Sequence, residues 1–350
     1  MKERDNKTLR FLDRYLGILL VALFRFFKRK CSLSQKISSI ALLKSAGIGD
    51  TALLSAIVLD LQQAFPEAKI IFFTGTSNRE MAEMIPGIEV VSLPMVSPWR
   101  ALQLIRHHRF DLWLDFDPWP RISALFGFFS RAAYTIGFKT ARQGRHFLYD
   151  RSVEHKSDVH ALENCRNLLK PLDIHSHHQP KISVEVSEPK KRVVCHLFPG
   201  GSRAALKMWP EKKWSELVVF LASEGYEVVL TGGKGDRERL PPLPGVQNVA
   251  GELSLREVAE LLKSSSCVIS VDTGIMHLAA VIGAPLIALH GPTSPDRWGG
   301  IGEKVVAITP KLNCRPCIYL GFESKCSVNR CMQAISVEQV KEAFLELVNT

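Results

Sequence analysis

The sequence predicts an α/β protein of two Rossmann-like halves, each with a parallel sheet. Short, β-branched apolar runs alternate with longer amphipathic ones, and the alternation breaks at a polar, proline-containing stretch before starting again. In each half an early strand also runs into a glycine-rich turn that opens a helix. Strands that are apolar along their whole length, separated by helices, belong to a parallel sheet covered on both faces. At 350 residues the chain has room for two domains of roughly 150 residues each.

Residues 37–43 read as the first strand, and 51–65 as a helix that stops at Pro66. Strands follow at 69–74 (KIIFFT), 89–93 and 110–115 (FDLWLD), with helices at 78–84 and 99–107 and a long helix at 158–169. SEPKKR, 187–192, has the composition of a linker. Beyond it strands are expected at 193–198, 226–231, 267–271 and 285–289, and helices at 211–224, 255–264, 275–282 and 336–348. The expected divisions are an N-terminal segment (1–35), two Rossmann-like domains (36–186 and 187–335) and a C-terminal helix (336–350).

With 46% hydrophobic residues the chain is not disordered, and it lacks the repeated long apolar runs of a polytopic membrane protein. Eight cysteines are too few for a disulfide scaffold; Cys31, Cys165, Cys195 and Cys267 are scattered, as reduced cytosolic thiols are. The net charge of +10 is uneven. Residues 1–30 hold nine Lys or Arg against three acids, which is +6 and leaves +4 for the rest. No aromatic-interleaved basic platform accompanies it, so no nucleic-acid partner is expected.

Residues 15–24 (YLGILLVALF) carry no charge and are followed by Arg25 and Lys28-Arg29-Lys30. A helix over 15–27 reaches about 20 Å, short of the roughly 30 Å hydrocarbon core, and no small-x-small cleavage site follows. Apolar residues bracketed by cations predict a helix over 9–30 that lies on an anionic membrane surface. Packing on the protein's own surface or on a partner, or a single-pass anchor, are the alternatives.

The first strand ends in KSAGIGD (44–50). Gly47 and Gly49 permit a tight turn and close backbone approach to a ligand. The spacing is neither GxGxxG nor GxxxxGK[ST], so no dinucleotide or P-loop site is supported. Asp50 reads as the N-cap of the next helix, or as a general base acting on a hydroxyl. In the second half HLFPGGSR (196–203) offers glycines and the Ser202 hydroxyl, and Lys207 a mobile charge for phosphate, or one more solvated lysine. VDTGIMH (271–277) is strand, turn and helix: Thr273 and Gly274 offer backbone N–H groups, and His277 is either a donor to the same phosphate or a core histidine. HGPTSPD (290–296) adds a loop at the same sheet edge. Cys314, Cys317, Cys326 and Cys331 form CxxC-x8-C-x4-C, open to structural zinc, reduced thiols or a local disulfide.

Taken together, KSAGIGDTALL, HLFPGGSRAALKMWPEKKW, VVLTGGKGDRE and SVDTGIMHLAAVIGAPLIALHGPTSP resemble glycosyltransferase family 9, the ADP-heptose:lipopolysaccharide heptosyltransferases. DLWLDF (111–116), IGF (136–138) and HALENCRNLL (160–169) extend the likeness, which covers roughly residues 38–345. The resemblance implies the GT-B fold, with two Rossmann-like domains facing a central cleft. It implies an inverting transfer of heptose from ADP-heptose to a lipid-linked lipopolysaccharide-core acceptor, with no required metal or other cofactor. It matches Asp50 to the base and Lys207 to the cation on the leaving diphosphate. Thr273, Gly274 and His277 match the phosphate-binding turn, with Asp272 orienting the donor sugar. Gly49 and Ser202 fall in the same nucleotide-sugar site, where Asp236 matches the ribose-holding acid better than Glu238 does. The implied location is cytoplasmic, peripheral on the inner face of the bacterial inner membrane. Rival readings are another nucleotide sugar for a different surface glycan, and a catalytically silent glycan-binding protein. The N-terminal stretch extends beyond the family's compact core, and acceptor contacts lie in its variable first half, so acceptor identity does not follow from the likeness.

Overall fold

The structure, a computed structural model, describes residues 7–349 except 29, 35, 187, 202, 240–244 and 321–325. The chain forms two compact units, one from 1–47, 54–156 and 161–178, the other from 48–53, 157–160 and 179–350. The first holds β1 (Ser39–Lys44), β2 (Lys69–Thr74), β3 (Glu89–Ser92), β4 (Leu112–Asp115), β5 (Tyr134–Lys139) and β6 (Arg151–Glu154). Its helices are α1 (Lys7–Phe24), α2 (Ile48–Ala64, whose first turn belongs to the second unit), α3 (Arg79–Glu83), α4 (Pro98–Arg106), α5 (Arg121–Phe129) and α6 (Ala161–Asn167). The second holds β7 (Lys190–His196), β8 (Glu227–Thr231), β9 (Val246–Asn248), β10 (Ser265–Val271), β11 (Leu286–Leu289) and β12 (Val305–Ile308). Around them lie α7 (Glu211–Ser223), α8 (Leu255–Lys263), α9 (Gly274–Val281), α10 (Pro295–Trp298), α11 (Arg330–Ala334) and α12 (Val337–Val348).

Both sheets are wholly parallel, in the orders β3-β2-β1-β4-β5-β6 and β12-β11-β10-β7-β8-β9. Each winds outward from its first strand in both directions. The order therefore reverses between β1 and β4, and between β7 and β10, which is where such sheets place ligands. Uniformly apolar strands make this possible: Ile40 to Leu43 and Val193 to Cys195 are fully buried. In the first core Trp113 stacks on Phe73 at 5.6 Å. In the second, Trp209 meets Trp214 edge-on at 5.0 Å, beside Leu217, Met332 and Phe344.

Several sequence expectations shift. The boundary falls at 178/179, not 186/187, because Ile182 is buried and its N–H donates to the Val281 carbonyl at the end of α9. The supposed linker is partly strand, since β7 begins at Lys190. Residues 336–350 are no separate division: α12 packs on α7 and buries Phe344 in the second core. The helix expected at 158–169 is only Ala161–Asn167, because Asn164 turns back to hold both the N–H and the carbonyl of Lys156 at 2.9 Å. Strands β5, β6, β9 and β12 and helix α5 were not anticipated.

Nor are the described residues of the 1–35 stretch a detached segment. Val21 is buried among Ala124, Leu125, Leu148 and Tyr149, and Phe24 meets Phe129 edge-on at 4.9 Å. Asp13 accepts the Ile122 N–H at 2.9 Å in the first turn of α5. Lys28 pairs with Asp150 at 2.8 Å, so part of the N-terminal charge is already matched within the unit. Phe11, Tyr15, Ile18, Leu19 and Leu23 remain exposed along the rest of α1. Among the described residues no helix is long and apolar enough to cross a membrane.

Candidate active site

The second sheet gathers most of the expected residues at its carboxyl edge. Lys207 follows β7 at the end of a short 3-10 turn, and Asp272 directly follows β10, on the two sides of the strand-order reversal. Their Nζ and Oδ2 lie 3.7 Å apart, with only 12% and 10% of the two side chains exposed. Lys207 is therefore not the solvated lysine of the alternative reading; it lies largely buried beside a buried carboxylate. Burial pushes the Asp272 carboxyl upward, but Lys207, His290, His277 and a hydrogen bond from Thr293 outweigh it and leave it below its ordinary value. The Thr293 hydroxyl that donates to Asp272 has only lone pairs left for His290, whose Nδ1–H donates to it at 3.3 Å. Arg315 fixes that loop by donating to the carbonyls of Gly291 (2.9 Å) and Thr293 (2.8 Å).

Two helix starts meet beside this edge, within the second unit. Gly47, at φ 101°, makes the turn after β1 and requires glycine. The helix begins immediately after it, so Asp50 is the third residue of α2 and not its N-cap. There its negative charge faces the positive end of the helix dipole. Thr273 precedes α9 with an extended backbone, and its side chain makes no capping hydrogen bond; Gly47 has no side chain to offer. A Cβ on Gly274 would sit 2.8 Å from Ile48 Cβ, and one on Gly49 would sit 2.5 Å from His277 Cδ2. These glycines let two helix N-termini abut, neither of them with a side-chain cap, an arrangement that favours an anion. Gly49 thus makes room for His277.

His277 is buried, 5% exposed, and burial pushes its pKa down to about 4, with Asp272 and Asp50 offsetting only part of that. It is a neutral imidazole at neutral pH, and its Nδ1 has no hydrogen-bond partner. It therefore offers a hydrogen bond and no positive charge. His160, whose Nε2 lies 3.1 Å from the Gly299 carbonyl, is close enough to influence it electrostatically.

Asp236 is committed locally: one oxygen accepts the Gly233 N–H at 2.9 Å and the other pairs with Arg239 at 3.1 Å, while Glu238 is exposed. Arg239 in turn lies over the Phe198 ring, just past β7. Ser202 lies outside the described residues. All eight cysteines are thiols. Cys331 is buried in α11 while Cys314 and Cys326 are exposed, and among the described residues the one group of three ligand-type atoms within 4.8 Å of one another does not include them. Sequence reasoning missed the Thr293–His290 relay, the Arg315 brace and His160; only the HGPT loop and the quoted HALEN stretch pointed that way.

The first sheet repeats the arrangement. Lys44, at the end of β1, lies 3.4 Å from Asp117, just beyond β4, and Asp117 also accepts the Ser45 N–H at 2.8 Å. This pair pins the start of the loop that leads to Asp50. Beside it Asp115 accepts from Arg145 at 2.6 Å and from Tyr149 at 2.5 Å, with all three side chains buried.

Comparison with known proteins agrees with this architecture. The model of glycosyltransferase family 9 (heptosyltransferase) matches residues 99–327, well over half of the chain. Lipopolysaccharide heptosyltransferase 2 of Salmonella typhimurium is 26% identical over 305 residues, covering 75% of this chain and 85% of that protein. The structure of Escherichia coli ADP-heptose LPS heptosyltransferase II matches with a TM-score of 0.71 at 22% identity, over 89% of this chain and 98% of that one. The E. coli heptosyltransferase WaaC with ADP matches at 0.71 and 20%, over 88% and 99%. On the family match and the paired parallel sheets, the chain belongs to glycosyltransferase family 9 and is a glycosyltransferase of the GT-B fold.

Proposed function

We propose that this glycosyltransferase inverts configuration as it moves heptose from ADP-heptose to a lipid-linked lipopolysaccharide-core acceptor, working on the cytoplasmic face of the bacterial inner membrane. The observation that carries the reading is Asp50 in the first turn of α2, against the uncapped start of α9 that also bears His277. The 26%-identical lipopolysaccharide heptosyltransferase supports the choice of sugar and acceptor class.

In this reading Asp50 takes the proton of the acceptor hydroxyl as its oxygen forms a bond to the anomeric carbon. The bond from that carbon to the diphosphate oxygen breaks on the opposite face, and ADP leaves with the electron pair. Negative charge grows on the departing phosphate. The first N–H groups of α9 and the Lys207 ammonium stabilise it, and a single preorganised donor of this kind contributes about 10²–10³-fold in rate. Asp272 keeps Lys207 aimed, and neutral His277 adds a hydrogen bond. Because a lysine and a helix start already neutralise the leaving group, the reading assigns no metal to the transfer. The exposed aromatic and aliphatic side chains of α1, with exposed Arg14, Arg25 and Lys30 near them, suit an anionic membrane surface on which the acceptor is anchored.

A donor screen that reads nucleotide release with core glycolipid as acceptor tests this. Acceptor-dependent release of ADP from ADP-heptose, and not of nucleotide from other sugar donors, is the expected result. Release from a different donor would reassign the sugar, and glycolipid binding without release from any donor would make the protein a binder.

A further inference from the structure

Away from the transfer site, α2 and the chain segment that leaves the first unit build a second polar cluster. Asp60 lies ten residues past Asp50 on α2, about 15 Å along the helix axis. It is 2% exposed, an unusual place for a carboxylate without a specific partner. The segment 176–178 wraps around it. The Ser176 hydroxyl donates to Oδ2, the backbone N–H groups of His177 and His178 donate to Oδ1 at 3.2 and 3.3 Å, and His178 Nδ1 lies 2.8 Å from Oδ1. The His177 ring lies beside that of His178, with centroids 4.3 Å apart, and its Nδ1 is 3.9 Å from the same oxygen. One ligand-type atom from each of Asp60, His177 and His178 falls within 4.8 Å of the others.

We propose that Asp60, His177 and His178 form a binding site for a divalent cation of the zinc type, which ties the segment after α6 to α2. The donor set suits that class: two imidazoles and one carboxylate are ligands for zinc-like ions and a poor set for magnesium or calcium, which prefer oxygen alone. Tetrahedral zinc with bonds of about 2.1 Å holds its ligand atoms roughly 3.4 Å apart, and the two nitrogen-to-oxygen separations here, 2.8 and 3.9 Å, bracket that spacing. Binding moves the His178 proton from Nδ1 to Nε2 and replaces its hydrogen bond to Asp60 with a shared ion. The His177 side chain is 64% exposed and its Nδ1–H donates to the His175 carbonyl at 3.2 Å; binding exchanges that hydrogen bond for the ion, with the proton moving to Nε2, and water completes the coordination. Ser176 acts one shell out by holding the second carboxylate oxygen. The site is separate from the diphosphate end of the reaction, so it assists the fold and supplies no chemistry to the transfer.

The test uses the full chain without a histidine tag, freed of metal by chelator and dialysed against zinc. One equivalent of zinc per chain is expected, with a rise in melting temperature on binding. His177→Ala and His178→Ala should each weaken zinc binding at least tenfold. Ser176→Ala should weaken it about tenfold, at the lower end of the 10–100-fold typical of such outer partners. His177→Ala removes an exposed side chain and keeps the fold testable should Asp60→Asn unfold. Cobalt substitution separates this site from the C-terminal cysteines: imidazole and carboxylate give only weak visible bands, whereas thiolates add an intense near-ultraviolet charge-transfer band. Zinc retained in both histidine variants, zinc lost in a Cys314→Ser, Cys317→Ser double variant, a thiolate band with cobalt, or no stoichiometric zinc in the unaltered chain would each overturn the proposal.

Discussion

At position 49 an added methyl group would stand 2.5 Å from His277 Cδ2, and neither the α2 backbone nor the buried ring can yield freely. Gly49→Ala should therefore cost about 1–3 kcal/mol of stability, as overpacking does, and lower affinity for ADP as the ring is displaced. Thermal unfolding and calorimetry check the two effects together. Lys207→Ala removes a charge held beside the α9 start, so affinity for ADP should fall about tenfold or more while affinity for adenosine hardly changes. Equal losses for both ligands in calorimetry would point to general damage instead. That Asp50, Lys207, Thr273, Gly274 and His277 sit in the turns that follow strands was legible in the sequence, because each lies in a short motif at a strand end. The packing of Gly49 and the His290–Thr293–Asp272 chain were not, because they depend on loops brought together only by the sheet. The same limit explains Asp50: the sequence could not show that Gly47 adopts φ 101° and so starts the helix three residues earlier.

Among elements, the apolar runs of strands β1, β2, β7, β8 and β10 were readable, as were α7, α8 and α12 with their clear amphipathic spacing. The strands β6, β9 and β12 are three or four residues long, and β5 is broken by Gly137, so none gives a strong periodic signal. Helix α5 follows Pro118 and Pro120 and was hidden in a run that reads as loop. Helix α1 is amphipathic in a way its sequence only half reveals: Val21 is buried in the unit while Phe11, Tyr15 and Leu19 are 61%, 53% and 65% exposed. Deleting α1 would uncover Leu125 and Leu148, so substitution is the cleaner test. Phe11→Ser, Tyr15→Ser and Leu19→Ser together should lower partition onto anionic vesicles at least tenfold, since each buried apolar side chain is worth about 1.5–3 kcal/mol, and should leave the melting temperature nearly unchanged. Binding by the unaltered chain should weaken with salt. Equal co-sedimentation of both forms would remove α1 from membrane attachment.

Across the whole molecule the two sheets share one strand order and one device, a lysine at the end of the first strand or beyond it paired with an aspartate just beyond the fourth. Burial also sets the response of the fold to acid. His196 and His277 are pushed from an ordinary 6.5 to about 4, so between these values the unfolded chain binds protons that the folded one refuses. Stability should accordingly rise with pH across that window and fall by up to roughly 3 kcal/mol per histidine as pH drops through it. Urea midpoints at about pH 7.5 and about pH 5 measure this, and a flat profile would show that these rings are not held neutral. The central claim is that Asp50 removes the acceptor proton, and Asp50→Asn tests it most directly because the shape is kept while the basicity is lost. Turnover of ADP-heptose with core glycolipid should fall about 10²–10⁴-fold, with donor affinity unchanged and at most about 1 kcal/mol lost from the helix-dipole interaction. Turnover near that of the unaltered enzyme would contradict the account and leave Asp50 as no more than a favourable charge at the start of α2.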